Sequence, residues 1–141
     1  MTKIELNRLN DGYHFAAQND SGIVVHLDSS PDSGGQNQGM RPMQMLLAAM
    51  GGCSAIDIIS ILKKQRQDLK DLKITVSGER EKNVSPSLFE TVHAHYRFFG
   101  NLDPDKVEKA INLSIEKYCS VSQTLEKAGA RITHSFEIIS S

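Results

Sequence analysis

The chain has 141 residues, with 16 basic and 17 acidic side chains and a net charge of −1. This length suits one domain with its own core, and we expect a single domain over residues 1–141. The charges are interspersed and form no basic stripe, so composition argues against nucleic-acid and membrane partners. The first residues lack the basic start and apolar run of a secretory signal, so we expect a cytoplasmic protein with reduced cysteines.

Three short segments at the start of the chain predict a meander of β-strands. They cover residues 3–9, 13–18 and 23–28, and turns containing Asn, Asp and Gly separate them. These residue types tolerate the positive φ that tight hairpins require. Residues 29–39 follow as a polar, glycine-rich loop without an apolar period, which is typical of a segment able to move or to line a site.

Residues 45–62 predict a helix with apolar side chains on every face. Pro42 suits its first turn, and Asp57 is its only charged residue. The length approaches that of a membrane span, but a carboxylate near mid-span costs about 2.5 to 3.5 kcal/mol on insertion scales. We therefore predict a central helix of a water-soluble core. Because so short a chain has few elements to surround such a helix, we expect burial against a second copy in a homodimer.

The second half of the chain predicts two strands, one helix and one strand. Residues 72–81 and 88–98 alternate as a hairpin, and residues 132–139 alternate as a last strand. Asp103 with Pro104 begins the helix and Gly129 ends it. The order is βββαββαβ, an α+β fold with two helices against largely antiparallel sheet. The stripe at helical spacing on the second helix comprises Val107, Ile111, Ser114, Tyr118, Val121 and Leu125.

Cys53 and Cys119 are the only cysteines, and each lies in a segment predicted to be a buried helix. A thiol with a lowered pKa attacks peroxide oxygen or electrophilic sulfur, and a second thiol condenses with the resulting sulfenic acid to give a disulfide. Two thiols therefore suffice for a complete redox cycle. The plain alternative is two small core hydrophobes, because free cysteine is among the most buried residue types.

Activation of Cys53 poses an electrostatic problem. Asp57 lies four residues later, and on a continuous helix its charge would raise the pKa of the thiol. A cation could compensate, for which Arg41 and Arg8 are the candidates. Free backbone N–H groups would do the same if the pair Gly51–Gly52 breaks the helix. Both routes stay open, as do the plain alternatives of helix packing for the glycines and a solvated loop position for Arg41.

Five histidines raise the question of a metal site. His93 and His95 would share one face of a strand. The chain has no CxxC or HxxxH spacing, and its cysteines are far apart in sequence. We therefore expect no metal and no other cofactor. No glycine-rich phosphate loop supports nucleotide chemistry.

Two stretches of the chain carry a family resemblance. Residues 41–64, with the run Pro-Met-Gln-Met-Leu-Leu-Ala-Ala-Met-Gly-Gly-Cys, and residues 116–122, with Cys-Ser-Val-Ser, closely resemble the OsmC/Ohr family, especially its YhfA-like branch. The match covers essentially the whole chain, and both cysteines fall at the family's positions. The resemblance implies a swapped homodimer in which sheet wraps two long central helices, with two active sites at the subunit interface.

The resemblance also implies an activity. Characterised members are thiol-dependent peroxidases that reduce organic hydroperoxides and are reset by a dithiol such as protein-bound lipoamide. Carried over, Cys53 would be the peroxidatic cysteine and Cys119 the resolving one. In those peroxidases a Glu just after the helix-start Pro pairs with an Arg that holds the thiolate. Here Gln44 would orient Arg41 through a neutral oxygen, which is a weaker acceptor, and Ser120 stands where the peroxidases tend to carry Pro.

The alternative function is a non-catalytic stress protein on the same scaffold. Its pocket at the dimer interface, lined from Met43, Leu47 and Met50, would bind a small lipophilic or thiol-reactive ligand. The missing Glu favours this alternative, whereas the two cysteines at the family positions favour the peroxidase. We expect the peroxidase, with both cysteine side chains facing one pocket.

Overall fold

The structure, a computed structural model, describes residues 1–140 and has the α+β class that the sequence predicts. Residues up to Leu46 form one compact unit, and residues from Leu47 onward form another. Each unit contains one three-stranded sheet. The strands and α-helices are, in chain order, β1 (Glu5–Arg8), β2 (Phe15–Gln18), β3 (Val24–Leu27), α1 (Pro42–Lys64), β4 (Asp68–Arg80), β5 (Phe89–Asn101), α2 (Pro104–Leu113), α3 (Ser120–Lys127) and β6 (Arg131–Ile139).

The first unit contains the predicted antiparallel meander, in the order β1-β2-β3. An asparagine side chain closes each hairpin turn. Asn10 Oδ1 accepts the N–H of Gly12 at 3.0 Å, and Asn19 Oδ1 accepts the N–H of Ser21 at 3.0 Å. Asparagine favours turns for this reason. The strands are shorter than the predicted segments by one or two residues at most of their ends.

The polar loop after β3 is tied to the carboxylate of Asp28, which is 2% exposed. This carboxylate accepts backbone N–H bonds at 2.7 to 3.1 Å from Ser29, Gln36 and Gln38. Hydrogen bonds from the N–H groups of Gln38, Gln36 and Ser29 outweigh burial and lower the pKa of the carboxyl group. A single side chain therefore pins the loop that the sequence predicts as able to move.

The sheet of the second unit has the order β4-β5-β6. β4 is antiparallel to β5, as predicted, but β6 is parallel to β5. A parallel neighbour needs a long crossover connection, and the segment that contains α2 and α3 supplies it. The buried side of β5 consists of alternate residues that are fully buried, namely Val92, Ala94, Tyr96 and Phe98.

The opposite side of β5 carries His93 and His95, which share one face as the sequence predicts. Both imidazoles contact the hydroxyl of Ser135 on β6, at 2.9 Å from His93 and 2.7 Å from His95. His95 also lies 3.5 Å from Glu137. These two histidines therefore take part in a cross-strand ladder of polar side chains on the sheet.

α1 is continuous through the pair Gly51–Gly52, so the helix does not break before Cys53. The structure thus excludes free N–H groups as the source of activation for this thiol. Gly51 permits close packing against the sheet, because a Cβ there would lie 3.1 Å from Cγ2 of Val76 on β4. The packing partner is a strand, whereas the sequence suggested another helix.

Only one stripe of α1 is buried in the single chain, although the helix is apolar all round. Ile56 is 71% exposed and Ile59 is 45% exposed. Among the described residues, α1 is also the one helix whose length and composition would suit a membrane span, a test that core helices of soluble proteins pass as well. The buried residues of the stripe are Met50, Gly51, Ser54, Ile58 and Leu62.

The second predicted helix is interrupted, and this corrects the expectation that Cys119 lies within a helix. α2 passes into a π-helical turn, Ser114–Tyr118, and the backbone at Cys119 is extended (φ −76°, ψ 100°) before α3 begins. A π turn accommodates one extra residue, so the side chains after it change face. Tyr118, placed in the apolar stripe by its spacing, is 54% exposed, whereas Cys119 is fully buried.

Candidate thiol site

The structure brings both cysteines together with one acidic residue. The sulfur atoms of Cys53 and Cys119 and a carboxylate oxygen of Asp57 all lie within 4.8 Å of one another. All three residues belong to the second compact unit, and both cysteines are free thiols. We call these three residues the thiol cluster.

Cys53 is half-buried in the middle of α1. In a continuous helix its own N–H group donates to a carbonyl one turn earlier, so the local backbone offers no spare donor to a thiolate. Asp57 lies one turn later on the same face, as the i, i+4 spacing predicts. The charged group beside the Cys53 thiol in this cluster is thus the Asp57 carboxylate, an anion.

Cys119 occupies a different backbone setting, because it is the N-cap residue of α3. Its sulfur accepts a hydrogen bond from the N–H of Ser122 at 3.4 Å. Burial nevertheless raises the pKa of the Cys119 thiol; hydrogen bonding from Ser122 opposes this rise, and the nearby Cys53 adds to it. Cys119 is therefore a buried thiol that favours its protonated form.

Buried hydroxyl groups form hydrogen bonds next to the thiol cluster. The hydroxyl of Tyr96 donates to Ser54 Oγ at 2.8 Å, and Ser54 Oγ donates to the carbonyl of Gly51 at 3.1 Å. Burial raises the pKa of Tyr96 to about 12, against the effect of its bond to Ser54, so this phenol stays a neutral donor.

Ser114, at the start of the π turn, fixes Asp57. Its hydroxyl lies 3.0 Å from Asp57 Oδ2 and 3.3 Å from the carbonyl oxygen of Ser54. Helical spacing predicted Ser114 only as a member of the apolar stripe of the second helix. A hydroxyl at an otherwise apolar, buried position was the available signal, because such groups require a hydrogen-bond partner.

The other two predicted site residues, Arg41 and Gln44, make their contacts in the first unit. Gln44 Oε1 accepts the backbone N–H of Arg41 at 3.0 Å, so this side chain caps α1 instead of orienting the guanidinium group. The guanidinium group of Arg41 donates to the carbonyl of Gly39 and to Asn37 Oδ1, both at 2.9 Å. Arg8, the other candidate cation, donates to backbone carbonyls of its own hairpin turn.

The pocket predicted from three α1 residues needs correction at one position. Met50 is fully buried in the core of the single chain, whereas Met43 and Leu47 are half-buried. Two other cavities are relevant. One of about 380 Å³ lies beside Asp57 in the second unit. The other, of about 400 Å³ in the first unit, is lined mainly by apolar side chains and by Arg41, and includes Leu6, Tyr13, Phe15 and Leu27.

The fold and this site define a small α+β protein in which two thiols and one carboxylate lie together, and comparison with known proteins names its family. The family described as OsmC-like protein matches residues 35–135. The chain is 42% identical over 130 residues to protein YhfA of Escherichia coli K12, covering 92% of each chain. The chain therefore belongs to the OsmC-like family, as its sequence resemblance predicts.

Solved structures share the same fold. A hypothetical protein from Aquifex aeolicus VF5 superposes with a TM-score of 0.85 at 30% identity, covering 100% of this chain and 98% of that one. An organic hydroperoxide resistance protein, OsmC, from Legionella pneumophila superposes with a TM-score of 0.74 at 16% identity, covering 97% and 96%. The fold is thus shared with a protein named for resistance to organic hydroperoxides.

Proposed function

We propose that the protein is a thiol-dependent peroxidase that reduces organic hydroperoxides. The observation that carries this proposal is the approach of the sulfur atoms of Cys53 and Cys119 to within 4.8 Å. A disulfide needs an S–S bond of about 2.05 Å, so rotation of the side chains and a modest shift of the backbone would close it. Membership of the OsmC-like family supports the same chemistry.

Exposure and pKa assign the two roles. Cys53 is half-buried, so we assign it the attack on the peroxide: its thiolate bonds to one peroxide oxygen, the O–O bond breaks, and the alcohol leaves with a proton. Cys119, fully buried and with a raised pKa, then attacks the sulfenic sulfur. Water leaves and a Cys53–Cys119 disulfide forms. An external dithiol, such as a lipoyl group, restores both thiols by exchange.

We assign Arg41 as the cation that stabilises the Cys53 thiolate, and Gln44 as the helix-capping residue that fixes the backbone of Arg41 without touching its guanidinium group. The contacts of Gln44 with the Arg41 N–H and of Asn37 with the guanidinium group hold this segment in a defined conformation. The homodimer belongs to the same proposal, because a second copy would cover the exposed apolar side chains Ile56 and Ile59. We further propose that the protein works in the cytoplasm, where dithiol reductants maintain free cysteines.

The test is turnover of cumene hydroperoxide and of hydrogen peroxide by the pure, reduced protein with dihydrolipoamide. We expect faster consumption of the organic peroxide, and its loss in Cys53→Ser. Cys119→Ser should undergo one round of oxidation without sustained turnover. Ser120→Ala, a change at an exposed position beside Cys119, is the matched control and should keep the wild-type rate. Wild-type turnover no faster than that of Cys53→Ser would refute the peroxidase.

A binding function is the second candidate, and the cavity of about 400 Å³ in the first unit favours it. Its lining is mostly apolar, with Arg41 and Asp28 as its two charged residues, and suits a small lipophilic molecule such as a fatty acid. Binding without turnover predicts that a fatty acid raises the melting temperature equally in the wild type and in Cys53→Ser. Tyr13→Ala, which opens the cavity wall, should abolish that shift.

A further inference from the structure

We propose that the reduced thiol cluster binds one thiophilic divalent cation, with Zn²⁺ as the ion to test. Two thiolates and one carboxylate are donors that Zn²⁺ accepts in proteins. Their donor atoms meet within 4.8 Å, although Cys119 is 62 or more residues from the other two. The inference needs no peroxidase activity, because it concerns what the reduced residues hold.

The spacing of the donors suits one ion. Zn–S bonds are about 2.3 Å and Zn–O bonds about 2.0 to 2.2 Å, so tetrahedral ligands lie roughly 3.5 to 3.8 Å apart. The separations in the thiol cluster reach at most 4.8 Å. A contraction of about 1 Å brings all three donors into range. Side-chain rotation at Cys53 and Asp57, which are half-buried, supplies much of it.

Charge also favours a cation. Deprotonation of both thiols beside Asp57 would place three negative charges in a partly buried space, which is costly without a counter-ion. Within residues 1–140, Asp57 forms no salt bridge with any lysine, arginine or histidine, and Lys64 lines the neighbouring cavity beyond ion-pair distance. A dication would neutralise two of the three charges.

Two of the proposed ligands, Asp57 and Cys119, each have a hydrogen-bond partner, as metal ligands commonly do. Ser114 Oγ contacts Asp57 Oδ2, and Oδ1 receives no hydrogen bond from the described residues, so it is available to an ion. The N–H of Ser122 donates to the sulfur of Cys119. The cavity of about 380 Å³ beside Asp57 offers the ion a route toward this carboxylate.

The binding step exchanges protons for metal. Cys53 and Cys119 each lose a thiol proton, two Zn–S bonds and one Zn–O bond form, and no electrons are transferred. Soft thiolate donors select Zn²⁺ over Mg²⁺ or Ca²⁺. A disulfide between the same sulfurs would remove two of the three ligands. Metal binding and disulfide formation therefore exclude each other.

The experiment is a titration of the anaerobic, reduced full-length protein with Zn²⁺, read by calorimetry and by competition with a chromogenic chelator. Co²⁺ serves as a spectroscopic probe, because thiolate-to-cobalt charge transfer reports sulfur ligation directly. We expect one equivalent per chain, with proton release and with Co²⁺ charge-transfer absorption. Asp57→Asn should weaken the affinity by about 10- to 100-fold, and Cys53→Ser by at least as much. Asp71→Asn, an exposed acidic residue on β4, is the matched control and should leave the affinity unchanged.

Surface histidines are the competing explanation, since His14 and His26 approach to 2.8 Å. Binding that persists in Asp57→Asn but disappears in His26→Gln would overturn the proposal, as would absence of tight binding in the wild type. Because a variant at buried Cys119 could misfold, iodoacetamide treatment of the folded wild type provides a second measurement. Alkylation must abolish Zn²⁺ binding, and unchanged binding overturns the proposal. Failure of peroxide turnover in the same preparation would refute the peroxidase and leave this result standing.

Discussion

Cys53 and Cys119 reach the same cluster from opposite backbone settings. Cys53 lies in the middle of a helix of 23 residues, whereas Cys119 lies between a π turn and a new helix. The helix interior leaves Cys53 without a backbone donor, while the N-cap position gives Cys119 the N–H of Ser122. The buried thiol, Cys119, therefore has a backbone hydrogen-bond donor. The more exposed thiol, Cys53, has none.

This difference separates a favourable backbone setting of a thiol from the accessibility of that thiol. A favourable helix terminus does not make Cys119 the reactive thiol, because burial raises its pKa and restricts access. Accessibility does not by itself activate Cys53, because Asp57 is close. Reactivity at such a site is set by burial and neighbouring charges together. Four measurements test the difference between the two cysteine settings.

A proline placed directly after each cysteine should change stability most. Ser54→Pro removes an interior hydrogen bond of α1 and should destabilise the protein by about 3 kcal/mol or more. Ser120→Pro should change stability by less than about 1 kcal/mol, because Ser120 is the first residue of α3 and Cys119 already has an extended backbone. Urea unfolding measures both. Equal losses in the two variants would contradict the difference in backbone setting.

The second effect is a difference in alkylation rate. With iodoacetamide at pH 8, Cys53 should react about tenfold or more faster than Cys119, because burial limits access to Cys119 and its raised pKa lowers the thiolate fraction. Mass spectrometry of peptides from quenched samples gives both rates in one protein. Denatured protein is the control and should show similar rates at the two positions. Faster modification of Cys119 in the folded protein would reverse the assigned roles.

A pair of glycine substitutions tests how α1 packs just before Cys53. Gly52→Ala should stabilise the protein by roughly 0.5 to 1 kcal/mol, because alanine favours helix and no atom lies within 4 Å of the added Cβ. Gly51→Ala should be about 1 kcal/mol less stable than Gly52→Ala, since its Cβ would lie 3.1 Å from Val76. Thermal unfolding of the two variants gives the difference, and Gly51→Ala at or above Gly52→Ala would exclude tight packing there.

The smallest effect concerns Tyr96 and depends on pH. At pH 7, Tyr96→Phe should lower the free energy of unfolding by about 1 kcal/mol through loss of the bond to Ser54. The pKa of Tyr96 is raised to about 12 in the folded protein, above its ordinary value near 10. Its contribution to stability is therefore complete below pH 10 and is lost as pH rises toward 12. At pH 10.5 the gap between wild type and variant should shrink by roughly 0.8 kcal/mol. A gap that widens would contradict the raised pKa.

Much of the fold was predictable because local patterns reflect it directly. Alternation located the strands, turn residues separated the first three, and apolar length with Pro42 located α1. The parallel pairing of β6 was not predictable in this way, because alternation looks the same in either orientation. Strand direction depends on the crossover through α2 and α3, which is a property of the whole unit.

The thiol site was predictable in part. The spacing of four residues placed Asp57 beside Cys53, and the resemblance to the family paired both cysteines. The approach of Cys119 to Asp57 depends on contacts between segments far apart in sequence, which no local period records. For the same reason, the role of Gln44 as a helix cap differed from its assignment by analogy with Glu. The Gln44 side chain bonds the backbone N–H of Arg41, which is nearer than the guanidinium group.

The π turn Ser114–Tyr118 contains one residue more than a regular helical turn, which changes which side chains face the core. One extra residue in the turn rotates Tyr118 and Cys119 by about 100° around the helix axis, before the extended backbone at Cys119 ends the helix. The position that spacing gives to Tyr118 is occupied by Cys119 instead. A regular helix over these residues would turn Tyr118 toward the core and the sulfur of Cys119 away from it. The approach of the two thiols thus depends on one extra residue in the turn. Deletion of one residue between Ser114 and Cys119 would abolish it while both cysteines remain in the sequence.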